Sequence, residues 1–252
     1  MMTIRRHDAF QRLPSAILFD LDNTLYSYNP AHTAAMDAVR SKVVRTLTIE
    51  ASAFDKAFAE ARAQIKARLV NTAASHHRLL YFQRMLEIIG LGSQFMLALD
   101  FEQTYWRTFL RGAMLFDDVK EFLDDLRLLG IPSVIVTDLT AQIQFRKVVY
   151  FGLERHFDYI VTSEEAGIDK PSEVPFKLAI EKIQLQAGQV WMIGDSMHND
   201  LIGARTSLSA TCIQKLHDGV VEGKGDEAPD ATFQHFSELR ALLVKLLSTR
   251  EL

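Results

Sequence analysis

Cysteine is almost missing from this chain: 252 residues contain one, Cys212. A lone thiol forms no internal disulfide, which excludes a disulfide-stapled secreted scaffold and makes a reducing cytoplasm the expected compartment. Glycine and proline are scarce, at 12 and 6 residues, which excludes collagen-like and Pro/Gly-rich disordered chains. Neither sign of charge dominates. With 28 Lys and Arg against 32 Asp and Glu the net charge is −4, so there is no basic footprint for nucleic acid or for anionic lipid. No stretch approaches the ~20 apolar residues that cross a bilayer; even Ala241 to Leu247 is interrupted by Lys245. Residues 1–12 lack the apolar run of a signal peptide. What is present, 48% hydrophobic and 24% charged residues, is the composition of a soluble folded protein. The length suits one large domain or a core with a smaller companion.

The scarce residues are also unevenly placed. No glycine precedes Gly90, and no proline lies between Pro30 and Pro132. Within that interval Ala34, Ala38, Phe54, Phe58, Ala61, Ile65 and Leu69 recur at helical spacing with charged residues between them. This predicts amphipathic helices near 31–47, 50–70, 74–89 and 93–111. Elsewhere the texture changes to short apolar runs at 16–19, 133–137, 159–162, 190–193 and 211–213, separated by helical patterns. A loop over 219–229 precedes a last strand and helix. The expectation is an α/β fold: a Rossmann-like, mainly parallel sheet with helices on both faces, formed by residues 1–26 and 113–252, and an inserted α-helical domain over 27–112.

Polar groups stand where four of the apolar runs stop, and open α/β sheets place their sites at the carboxyl ends of their strands. The first run ends in Asp20-Leu-Asp22-Asn-Thr24-Leu25. On extended backbone Asp20 and Asp22 share a side, which crowds two like charges into one volume unless a cation lies between them. The run at 190 ends in Gly194-Asp195-Ser-Met-His-Asn-Asp200. An oxygen-only donor set of this kind suits Mg2+. Thr137 ends the run at 133 and offers a hydroxyl, and Lys170, in Asp169-Lys170-Pro171, offers a fixed positive charge. Taken singly each has a bland reading. An Asp pair caps a turn, Thr137 closes a strand, Asp200 caps a helix over 201–208, His198 lies on the surface, and Cys212 fills core. The convergence of separate strand ends is what argues for phosphoryl transfer.

With these motifs in this order, Asp20-Leu-Asp-Asn-Thr24, Thr137, Lys170 and Gly194 to Asp200, the sequence resembles the haloacid dehalogenase superfamily of phosphohydrolases over almost the whole chain. The resemblance implies that Asp20 is a nucleophile forming an aspartyl-phosphate. It implies that Asp22 is the general acid and base and lends its backbone carbonyl to the metal. Thr137 and Lys170 are then assigned to the phosphoryl oxygens. Mg2+ is expected on Asp20, Asp22 and Asp195, with Asp200 supporting the site through its waters. The insertion is expected to be a helical cap that closes over the site and selects the substrate, hinged near 26–30 and 112–117. Candidate substrate-reading residues there are His76, His77, Arg78, Arg84, Arg107 and Arg111, with Tyr81 and Trp106. Within the superfamily the dehalogenases lack an acid two residues after the nucleophile, so Asp22 favours phosphate. Asp138, after Thr137, is an extra acid that must point away or find a positive partner. Asn23, where many relatives carry Gly, tolerates left-handed backbone.

The expected function is a Mg2+-dependent phosphohydrolase of a small soluble phosphomonoester: a sugar phosphate, acyl-sugar phosphate or nucleotide. A phosphomutase uses the same residues. A dehalogenase-like hydrolase or a receiver-like signalling module are weaker alternatives, the latter because receivers are shorter and need no lid. No nucleic-acid or membrane partner is expected. The apolar faces of the insertion serve either a homodimer or its own core.

Overall fold

A computed structural model describes residues 2–248 and divides the chain into two compact units. One comprises the chain up to Ser27 and from Met114 onward, the other Tyr28–Ala113. Met1 and residues 249–252 of the expected core lie outside the described residues.

The second unit is helical. It contains α1 (Tyr28–Leu47), α2 (Ala51–Arg68), α3 (Arg78–Ile88) and α4 (Phe95–Gly112), with α1 packed on α4 and α2 on α3. Pro30 sits in the first turn of α1, where its missing N–H costs nothing. The helix expected over 74–89 is two elements: a 3-10 turn, Ala73–His76, and then α3, whose first turn is capped by the His77 ring accepting from the Leu79 N–H at 3.3 Å. Aromatic residues knit the unit together, Phe58 against Phe54 and Phe82, and Tyr105 against Trp106 and Phe109.

The first unit is a seven-stranded sheet of β1 (Thr3–Ile4), β2 (Ala16–Phe19), β3 (Ser133–Thr137), β4 (Tyr159–Thr162), β5 (Val190–Gly194), β6 (Thr211–Lys215) and β7 (Ala231–Phe233). The strand order is β1-β7-β6-β5-β2-β3-β4, parallel throughout except for β1 on β7. All five expected runs are strands. The two-residue edge strand β1 carries too little pattern to be foreseen. The strands alternate with α5 (Val119–Leu128), α6 (Ala141–Tyr150), the single turn α7 (Ser163–Ala166), α8 (Glu173–Lys182), α9 (Gly203–Leu208) and α10 (Phe236–Ser248).

Strand alternation sends neighbouring side chains to opposite faces. Leu18 lies in a cluster with Val136, Met192 and residues of α8 and α9, whereas Phe19 meets Phe122 of α5, which meets Phe236 of α10. Both faces of the sheet are therefore covered, which is why its inner strands are buried end to end.

Candidate active site

Three central strands, β2, β3 and β5, end side by side, and their carboxyl ends carry the expected residues. Pairing continues one step past β2, where the Asp20 N–H donates to the Ile193 carbonyl at 2.9 Å. The chain then turns sharply, with Asn23 at φ 65°, the left-handed conformation it was expected to tolerate. The buried Asp20 carboxylate is held at both oxygens: Lys170 Nζ donates to Oδ1 at 2.7 Å and the Thr24 hydroxyl to Oδ2 at 3.0 Å. Lys170 is itself buried and uses all three of its donors, the others going to Asp200 Oδ1 at 2.6 Å and to the Val136 carbonyl at 2.9 Å.

Asp200 reaches Lys170 from a π-helical turn, Met197–Ile202, that leads into α9. This corrects the expectation that Asp200 caps a helix beginning at 201. Ser196 is the cap, its hydroxyl accepting from the Asn199 N–H at 3.1 Å, and Asp200 lies inside the turn with Oδ2 accepting from the Ser196 N–H at 3.0 Å. Gly194 is what lets the carboxyl fold back this far, because a Cβ there would lie 2.5 Å from Asp200 Oδ2.

Asp20, Asp195 and Asp200 each offer a carboxylate oxygen within 4.8 Å of the others. Fully ionised, the three carry −3 against the single charge of Lys170, leaving −2. Burial raises the Asp20 carboxyl to about 7, with Lys170 opposing and Asp200 and Asp22 adding to the rise. Asp195 is pushed up to about 8 by burial and then by Asp200 and Asp20. Asp200 is raised too, chiefly by burial, while burial opposes the charge on Lys170 and the surrounding carboxylates overcome it. A hard divalent cation fits this oxygen donor set and this charge deficit.

Asp22 does not share that cluster. Its two carboxylate oxygens both accept from Lys147 Nζ at 2.7 Å, and the Tyr26 hydroxyl donates to Oδ1. The charge of Asp22 still raises the Asp20 carboxyl, so the two acids are neighbours, and Lys147 is the cation on the Asp22 side. Thr137 is buried, with its hydroxyl oxygen accepting from Gln144 Nε2 at 2.6 Å. The extra acid, Asp138, has a partner: its Oδ1 accepts from the Lys170 backbone N–H at 2.9 Å, and burial raises its pKa. His198 is exposed and Cys212 is buried, its thiol pushed up to about 11 by burial, as befits core filler.

Lys147 and Gln144 were not foreseen. Both lie on α6, three residues apart and so on one face, and both are fully buried. Polar helical residues read by default as solvated, and only that shared face hinted otherwise.

The sequence profile of the haloacid dehalogenase-like hydrolases matches residues 14–207. The chain belongs to that family. It is similar to the ribulose-1,5-bisphosphate 5-phosphatase of Halopiger xanaduensis, 35% identical over 193 residues, which are 76% of this chain and 81% of that protein. It is also 25% identical over 224 residues to the glyceraldehyde 3-phosphate phosphatase of Methanocaldococcus jannaschii, 88% of this chain and 94% of that one. Among solved structures, a 2-haloacid dehalogenase from Pseudomonas syringae pv. tomato shares the fold with a TM-score of 0.69 at 22% identity, covering 91% of this chain and 98% of its own. This haloacid dehalogenase-like enzyme thus has phosphatases among its relatives, and no described helix is long and apolar enough to cross a membrane.

Proposed function

We propose that the protein is a Mg2+-dependent phosphatase of small sugar phosphates that works through an aspartyl-phosphate on Asp20. The observation that carries this reading is the Asp20 carboxylate held by Lys170 and Thr24 beside Asp195 and Asp200. The phosphatase relatives act, by their names, on a sugar bisphosphate and a triose phosphate, which supports the substrate class.

An Asp20 oxygen attacks phosphorus, and the ester P–O bond breaks with its electron pair on the leaving alkoxide. Asp22, protonated, supplies the proton that makes that alkoxide an alcohol. A water then attacks the phosphorus of the acyl phosphate, gives a proton to Asp22 and releases phosphate, restoring the Asp20 carboxylate. Lys147 pairs with the ionised form of Asp22, the form required as base in this second half. Lys170 and the Thr137 hydroxyl bind the oxygens of the transferring group. Asp20 and Asp195, with the Asp22 carbonyl, would hold Mg2+, and Asp200 would support it; the ion supplies positive charge that lets an anionic nucleophile meet an anionic phosphate. The helical unit Tyr28–Ala113 acts as the substrate-selecting cap. An acid at Asp22 favours phosphate over the haloacid chemistry of the structural neighbour, which shows the fold alone.

The test is phosphate release from ribulose 1,5-bisphosphate, glyceraldehyde 3-phosphate and 2-phosphoglycolate with Mg2+ and with EDTA. Metal-dependent release that Asp20→Asn abolishes is the expected result; release that survives EDTA or this substitution contradicts it. Isomerised product without free phosphate would instead identify a phosphomutase.

A further inference from the structure

In the helical unit, several cations meet carboxylates. Arg40 pairs with Asp55 at 2.6 Å, Lys42 with Asp100 at 2.5 Å and Arg84 with Glu87 at 2.9 Å. Arg78 is different. Its Nη1 donates to the His76 carbonyl at 2.7 Å and its Nη2 to the Tyr28 hydroxyl, and no carboxylate pairs with it among the described residues. Three aromatic rings crowd the guanidinium, with the centroids of Tyr81, Tyr105 and Trp106 at 5.4, 5.3 and 5.9 Å.

A guanidinium stays charged at any physiological pH and carries five N–H donors. Enclosed charges are ordinarily matched by an opposite charge, and aromatic faces offset part of that need without supplying a hydrogen-bond acceptor. The groups around Arg78 are neutral hydrogen-bonding groups. The Tyr28 and Tyr105 hydroxyls lie 3.1 Å apart, and His32 Nδ1 is 2.6 Å from the Tyr105 hydroxyl. Burial, then Arg78 and Arg62, push the His32 ring down to about 4, so it is uncharged near neutral pH and lies in a positive field. Tyr28, His32 and Arg78 each keep some exposed surface, whereas Tyr105 is buried behind them. One positive charge ringed by phenols and an imidazole, and short of an acid, is the chemistry of an oxyanion site.

We propose that Arg78, with the Tyr28 hydroxyl and His32, forms an oxyanion-binding site in the helical unit for the phosphate or carboxylate group of a small organic anion.

Trp106 reports on the site directly, being one of two tryptophans in the chain and lying against Arg78. Titration of the whole protein with inorganic sulfate should give a saturable fluorescence change. Arg78→Met should weaken that binding about tenfold or more, and Tyr28→Phe, which keeps the ring and the charge, severalfold. The absence of a saturable response, or one that both substitutions leave unchanged, overturns the site. Should Arg78→Met fail to fold, Arg78→Lys and Tyr28→Phe decide by the same criterion, since Lys keeps the charge but loses the planar fork. The sulfate titration does not rest on the phosphatase reading, so the two can fail independently.

Discussion

Lys147 on α6 holds Asp22 across 125 positions of sequence, its ammonium 2.7 Å from both carboxylate oxygens. The pair is lopsided: the lysine side chain is 0% exposed and the aspartate side chain 28%. Removing the acid takes a carboxylate away from a fully buried ammonium, whereas removing the lysine leaves an acid that water can reach. Asp22→Ala should therefore lower unfolding stability by about 3–5 kcal/mol, and Lys147→Met by roughly 1 kcal/mol. Urea melts without metal measure both, and the reverse order contradicts the pairing.

Gly194→Ala tests how Asp200 is packed. The new Cβ would sit 2.5 Å from Asp200 Oδ2 and 2.6 Å from Asp200 Cβ, closer than side-chain carbons approach, so Asp200 must move off Lys170. On the proposed role of Asp200 in supporting the metal site, the Mg2+ concentration for half-activation should then rise roughly 10–100-fold. An unchanged Mg2+ dependence would show that Asp200 has no part in it.

The acidic cluster also fixes a pH dependence. Asp20 at about 7 and Asp195 at about 8 lie above their unfolded values, because burial and neighbouring carboxylates disfavour ionisation. A group whose pKa is raised by folding stabilises the fold fully below its unfolded pKa of roughly 4. That contribution is lost as pH rises through 7 to 8. On the proposed reading Mg2+ binding to the ionised cluster would release protons, so the gain in Tm on adding it should grow between pH 5 and 8. Thermal melts in Mg2+ and in EDTA across that range provide the check; a gain that shrinks with pH contradicts it.

Much of this was legible in the sequence because it follows from strong local signals. The runs at 16–19 and 190–193 are short, apolar and end in acids, and buried parallel strands have few other ways to read. Asp20, Asp195, Asp200 and Lys170 were found as strand-end residues and do gather. What escaped were relationships set by turns and helix faces. Alternation along a strand puts Asp22 near Asp20 but cannot foresee that Lys147 takes its carboxylate. Lys147 and Gln144 look like any solvated helical residues until α6 packs and buries them. In the same way, Arg78 stood among six cations and histidines of the insertion, and nothing in the sequence showed that it lacks an acid.

The most direct measurement is to locate the phosphoryl group. Protein mixed with substrate and Mg2+, quenched in acid and reduced with borohydride, converts an aspartyl-phosphate into homoserine that peptide mass spectrometry can place. The account predicts homoserine at position 20, absent when substrate or Mg2+ is left out. Modification at Asp22 or Asp195 instead, or turnover in the Asp20→Asn protein, would contradict it.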